Sequence, residues 1–337
     1  MGISVIISTI MFRSWFDKGY PIKEIWIHPV KSLKGIQVDE AEVDEYGFRY
    51  DRKYMVAEPN KEKPSEYQFV TQRELPQLTL VETTINHVDQ TLTLYYPRTE
   101  SRLTIPLSIE EEVLKKHCTV IPTLIWGQSP SSYDLSSLYP EIRTFWHQVL
   151  ASEPNRSLTI VAPCSRRIVD HKRGGPGEDT LNRVPQTSFQ DYFPGNLITT
   201  ASLKDLAEKV DRKTDGSVQI TQRNFRPNLV VETAKAYEED EWKIITINNS
   251  YTWHVACRNV RCQVTTVNLE KGEFEETHEP YKVMQSFRRV DPGAKYFPCF
   301  GMNMVQHETG YVIRVGDVIR VKQRGEHRYV PIGNVSS

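Results

Sequence analysis

Ile25-Trp26-Ile27-His28-Pro29-Val30-Lys31-Ser32 is an apolar triplet cut off by a His-Pro turn signal and followed at once by a cation and a hydroxyl. Short strand, turn and polar strand end recur outward from it, and that recurrence decides the fold class. Ile36 and Val38 alternate with polar neighbours, Gly47 marks a positive-φ turn, and Tyr54-Met55-Val56-Ala57 ends at Pro59-Asn60. Thr91-Leu92-Thr93-Leu94-Tyr95 alternates cleanly, and Leu103-Thr104-Ile105 follows a turn at Pro97. Ile142, Phe145, Trp146, Val149 and Leu150 fall at helical spacing, so one amphipathic helix closes a first half that is otherwise β.

Residues 152–193 are polar and rich in glycine and proline, with little strand or helix signal after 158–162. A domain boundary is placed near residue 151, giving a tail over 1–20, a first domain over 21–150, a second over 151–325 and a C-terminal tail over 326–337. Ser202 is expected to cap a helix with Asp205 three residues on, and Leu203, Leu206 and Val210 supply its apolar stripe. Strands are expected at 228–232, 244–247 and 264–267, and 312–321 reads as a hairpin turning at Gly316-Asp317. The expected class is mainly β with some α.

Composition narrows the function. The 337 residues carry 42 Lys+Arg against 43 Asp+Glu, so no global field recruits nucleic acid or an anionic membrane, and any electrostatic role rests on local clusters. Mean hydropathy of −0.49 fits a globular chain. Five cysteines, an odd number in a chain this long, make no disulfide framework and suit a reducing compartment. The apolar run at 3–12 is too short to span a bilayer and lacks the marks of a secretory signal. A packed tail is expected there, with a truncated membrane anchor as the alternative.

No zincin, G-x-S-x-G, Walker A or dinucleotide pattern is present. The chemically informative stretch is Ala256-Cys257-Arg258-Asn259-Val260-Arg261-Cys262-Gln263-Val264-Thr265-Thr266-Val267, read as a loop entering a strand. Arg258 and Arg261 are expected to lower a neighbouring thiol's pKa and favour the thiolate, which binds soft metals or attacks electrophiles; the alternative is a pair of small buried apolar residues. Zinc on His254, Cys257, Cys262 and Cys299 is a competing reading, though C-x4-C with a distant fourth donor fits structural zinc poorly.

In Asn224-Phe225-Arg226-Pro227-Asn228, Pro227 is expected to hold Arg226 extended at a strand entrance, where a guanidinium suits an oxyanion. Lys31, Ser32 and Arg52 stand at other strand ends, and these sites are candidates to converge on one anionic ligand. Arg166, Arg167, His171, Lys172 and Arg173 form a basic run, read as a solvated face or a docking patch for an acidic partner.

Six ordered segments carry a family resemblance: Trp26 to Ser32, Gly47 with Asp51-Arg52, Phe69-Val70-Thr71-Gln72-Arg73, Asn224 to Asn228, Arg261-Cys262 with Thr265-Thr266-Val267, and Ile313-Arg314-Val315-Gly316-Asp317. From about Pro21 to Val321 the chain resembles the MOSC superfamily, and within it the family of the mitochondrial amidoxime-reducing component. The resemblance implies a MOSC N-terminal β-barrel domain followed by a MOSC β-barrel domain with helices. It implies the molybdenum cofactor, a pterin dithiolene with a phosphate tail, with Cys262 as metal ligand and with Lys31, Ser32, Arg52, Arg226 and Arg261 at the cofactor. Asp191 matches an acidic residue near the metal and is a candidate proton relay.

The implied activity is molybdenum-dependent reduction of amidoximes, hydroxylamines or N-oxides, with electrons from NADH through NADH-cytochrome b5 reductase and cytochrome b5. The implied location is mitochondrial, at the outer membrane facing the cytosol, or cytoplasmic. Two departures stand out: the family spaces its paired cysteines C-x2-C where this chain has C-x4-C, and of the family's N-terminal targeting segment only the run at 3–12 is seen. The alternative is a sulfur-carrier or cofactor-delivery protein of the MOSC sulfurase type. The superfamily is also linked to pyridoxal phosphate, but no lysine here has a context that marks an aldimine.

Overall fold

The computed structural model describes residues 19–330. The apolar run at 3–12 and the end of the C-terminal tail lie outside them. Among the described residues no helix is long and apolar enough to cross a membrane.

Two closed β-barrels dominate. In the first, Tyr54–Pro59, Tyr67–Phe69, Thr119–Leu124, Ser131–Asp134 and Thr159–Pro163 pair in turn, and the ring closes where Val161 meets Met55. A three-stranded sheet of Glu82–Asn86, Thr91–Tyr96 and Ser101–Pro106 covers this barrel. The alternation foreseen at 91–95 is a two-sided strand, with Leu92, Leu94 and Tyr96 buried and the residues between them open. Helix Glu141–Val149 buries Ile142, Phe145, Trp146 and Val149 in the same core, as its spacing requires.

The second barrel runs Tyr20–Ile27, Leu229–Val231, Gly195–Thr199, Cys299–Gln306, Tyr251–Val260, Trp242–Ile247 and Val318–Arg324, then back to Tyr20–Ile27. The barrels interleave in sequence. The first described strand belongs to the second barrel, while Thr159–Pro163, beyond residue 151, belongs to the first. His28-Pro29 is where the chain crosses between them, so Lys31 and Ser32 sit at the junction.

Four local expectations are corrected. The turn at Gly316-Asp317 forms, with Gly316 at φ 93° and the Asp317 amide donating to Arg314 O, but its strands part: Tyr311–Arg314 pairs with Glu40–Asp44, and Val318–Arg324 with Trp242–Ile247. Each arm finds a longer ladder elsewhere than with its neighbour. The β-branched run at 264–267 is no strand; Gln263–Thr266 is a 3₁₀ turn whose Thr265 and Thr266 hydroxyls donate to the carbonyls of Cys262 and Gln263. Helix Thr200–Thr214 is capped by Thr199, because the Ser202 hydroxyl is buried and donates to Glu239. Arg226 is left-handed at φ 51°, as the cap of the Gln222–Phe225 turn, rather than extended.

Candidate functional site

Between the barrels lies a cavity of about 1090 Å³. Lys31, Ser32, Arg52, Asp191, Arg226, Arg261 and Cys262 all line it, so residues scattered over most of the chain share one space. Three of them, Ser32, Arg52 and Arg226, have positive φ, as does the lining residue Trp126. Non-glycine residues adopt that conformation rarely, and such backbone gathers where a site over-determines it.

The cavity floor is cationic. Lys31 is 6% exposed, and its ammonium donates to Phe189 O at 2.9 Å and pairs with Asp191. Burial pulls its pKa down to about 8 against the pull of Asp191 the other way. Asp191 is open to the cavity, yet set deep within it. Desolvation there pushes its carboxyl up, but Lys31 and a 2.9 Å hydrogen bond from Trp126 Nε1 hold it well below the usual range.

Arg52 is aimed by Asp51, whose two oxygens accept from its Nη1 at 2.7 and 2.8 Å, and its Nη2 donates to Arg226 O at 3.1 Å. Asp51 is fully buried; despite that burial, Arg52 and His28 hold its pKa at about 2. Ser32 donates its hydroxyl to Val70 O, which leaves that oxygen only acceptor capacity.

Arg226 and Arg261 are the informative pair. Arg226 Nη1 donates to Leu33 O at 2.6 Å, and Arg261 spends Nε on Phe300 O and Nη1 on Phe225 O. Nη2 of each is buried with no partner. Desolvation lowers both guanidinium pKa values, to about 9 and about 10. Gly301, at φ 77°, lies beside Arg261: a Cβ there would meet Leu197 O at 2.5 Å and lie 3.4 Å from Arg261 Nη2. Buried donors of this kind carry a penalty unless an acceptor meets them.

The two cysteines separate. Cys262 follows the Tyr251–Val260 strand and lines the cavity. Cys257 is inside that strand and fully buried, and burial pushes its thiol up to about 12, so the expected activation by Arg258 fails. Arg258 is spent on Asp240, Asp291 and the carbonyl of His327. The zinc set does not assemble: among the described residues no three His, Cys, Asp or Glu side chains are grouped to hold a metal, and His254 instead meets His307 at 3.2 Å.

The basic run is not a uniform solvated face either. Arg167 is buried, donating Nε to Gln128 and its other nitrogens to the carbonyls of Ser188, Gln190 and Asp191, which fixes the Asp191 loop. Trp126 and Arg167 were missed by sequence reasoning. Trp126 had no signal beyond its turn glycine, and Arg167 was hidden among neighbouring cations.

A soft thiol, guanidinium groups and a lysine on one cavity fit a ligand that combines phosphate with a soft-donor metal. Comparison with known proteins agrees on the family. Residues 20–151 match the MOSC N-terminal beta barrel domain and residues 185–320 the MOSC domain. Mitochondrial amidoxime reducing component 2 of Bos taurus is 29% identical over 307 residues, covering 88% of this chain and 82% of that one. Component 1 of Homo sapiens is 29% identical over 308 residues with the same shares. Molybdenum cofactor sulfurase of Solanum lycopersicum is 28% identical over 313 residues, 88% of this chain but 35% of the sulfurase. With both domain models matched in order over a two-barrel fold, the chain belongs to the MOSC superfamily, in the form that sets a MOSC N-terminal barrel domain before the MOSC domain.

Proposed function

We infer that this protein is a molybdenum-cofactor-dependent reductase of N-hydroxylated compounds, acting with NADH-cytochrome b5 reductase and cytochrome b5 and placed at the mitochondrion. The observation that carries the reading is the convergence of Lys31, Arg52, Arg226 and Arg261 with Cys262 on one cavity. Lys31, Arg52, Arg226 and Arg261 would hold the anionic tail, Ser32 would accept a hydrogen bond from the pterin, and Cys262 would ligate the metal. When bound, the cofactor supplies the two-electron exchange that breaking an N–O bond requires.

The chain's own residues handle charge and protons. Reduction of N–OH to N–H with release of water consumes two electrons and two protons. Asp191 is ionised and held by Lys31, so it acts as the counter-ion that keeps the ammonium charged and takes a proton only transiently. Burial brings Lys31 down toward neutrality, to about 8, so it is the group of the pair better placed to give up a proton. Trp126 and the buried Arg167 keep Asp191 in place.

Metal and pterin analysis of the purified protein, with benzamidoxime reduction by the reconstituted electron chain, tests the reading. Molybdenum and pterin in stoichiometric amount and turnover abolished in Cys262→Ala are expected. Full activity in a molybdenum-replete Cys262→Ala protein overturns the ligand assignment. A stable persulfide on Cys262 with no N-reduction points to a sulfur carrier instead.

A further inference from the structure

The cavity has a second group of cations beyond those proposed to hold the cofactor. Besides the four on the floor, Arg73, Lys295 and Arg328 line it, and all three are exposed. Asp191, already neutralised by Lys31, is the acidic residue of the lining. Among the described residues, none of the three cations is paired with a carboxylate. Three exposed cations without a carboxylate partner around a single opening make a local positive field.

The rim is built rather than incidental. Asp291 is 2% exposed; its Oδ1 accepts from the amides of Gly293 and Tyr329, and its Oδ2 pairs with Arg258. This ties the Pro292–Phe297 loop, which carries Lys295, to the C-terminal strap, which carries Arg328. The contact is so close that a Cβ at Gly293 would lie 1.7 Å from Tyr329 O. The buried His327 ring anchors the strap, meeting Trp242 O at 2.7 Å. From the first barrel, Arg73 lies over the Trp126 ring at 4.7 Å.

Aromatic surface lies among these cations. Tyr296 is 77% exposed and Phe297 50% exposed, both on the cavity lining, and Trp126 and Tyr192 stand 5.7 Å apart on it. Planar apolar walls bounded by unpaired cations suit a flat ring that bears a negative charge.

We propose that the cavity mouth selects aromatic N-hydroxylated substrates carrying an anionic substituent, with Arg73, Lys295 and Arg328 meeting the charge and Tyr296 and Phe297 the ring. This rests on the reductase reading and specifies its substrate class. The N–OH group then points inward toward Cys262, and the anion stays at the rim where water and cations share it.

The test compares 4-carboxybenzamidoxime with benzamidoxime on the purified full chain, by direct binding calorimetry and by KM, at low and high salt. The carboxylate probe is expected to bind about tenfold tighter, and the preference to shrink toward unity at 1 M salt, where the Debye length is about 3 Å. In Lys295→Glu/Arg328→Glu, and in Arg73→Glu, the ratio of the two affinities collapses or inverts while molybdenum content stays that of the parent. Equal affinity for the two probes in the parent overturns the proposal and leaves the reductase reading standing. Tight binding of the carboxylate probe without its reduction supports the rim and overturns the reductase. Loss of molybdenum from the rim variants assigns these cations to the cofactor and overturns the proposal.

Discussion

Cys257 and Cys262 are close in sequence, both flanked by arginine, and they end in opposite environments. Around Cys257 everything is closed: the thiol is buried in the strand, Arg258 is paired with Asp240 and Asp291, and the strap is anchored by His327. Around Cys262 lies the cavity, which Cys262 lines together with Arg261 and Arg226. A closed ion-pair cluster is costly to break, whereas cations gathered on a cavity are placed to meet an anionic ligand. Residue type and charge are alike on the two sides; what differs is that Arg258 is ion-paired with Asp240 and Asp291, whereas Arg261 lines the cavity.

The sharpest way to break this contrast is to remove one arginine from each side. Arg258→Leu leaves Asp240 and Asp291 short of a buried partner and is expected to cost about 3–5 kcal/mol of unfolding free energy in urea titration. Arg261→Leu is expected to change apoprotein stability far less and to weaken pterin retention about 10- to 100-fold, the loss of one charge-assisted contact. Equal stability losses with equal cofactor retention would erase the distinction.

Asp51 sharpens the open side, because it aims Arg52 without lining the cavity itself. Its folded pKa, about 2, lies below the ordinary carboxyl value of 3.8, so between these values the unfolded chain binds more protons and stability rises with pH. The contribution, about 2 kcal/mol, is present above pH 4 and lost as pH falls toward 2. Denaturant midpoints measured across that window are expected to fall in the parent, and this part of the slope to vanish in Asp51→Asn. The smallest effect belongs to the closed side: Cys257→Ala is expected to cost about 1 kcal/mol and to leave the molybdenum content unchanged.

What was legible in the sequence divides along a physical line. Local periodicity gave Thr91–Tyr96 and helix Glu141–Val149, because alternation and 3.6 spacing report which face is buried whatever lies opposite. Barrel closure was not legible, since the pairing of Ile22 with Val231 is set by the whole chain and leaves no mark at either residue alone. The turn at Gly316-Asp317 was read correctly and its hairpin wrongly for the same reason: turn chemistry is local and partner choice is not. Likewise the β-branched run after Cys262 carries strand propensity that its own threonine hydroxyls override.

Of the site, the cations at strand ends and Cys262 could be nominated, since polar residues at strand entrances stand out from the pattern. That Arg226 and Arg261 each keep a nitrogen unmet could not, because a missing hydrogen bond exists only in three dimensions. Trp126 and Arg167 act through Asp191, and their roles appear only once that loop is seen folded over Lys31.

The central claim is that the open thiol, and not the closed one, holds the metal. X-ray absorption at the molybdenum edge on the purified protein, on Cys262→Ser and on Cys257→Ser measures it directly. The expected result is loss of one sulfur from the molybdenum shell in Cys262→Ser alone, with Cys257→Ser matching the parent. An unchanged sulfur shell in Cys262→Ser, or a loss on replacing Cys257, would contradict it.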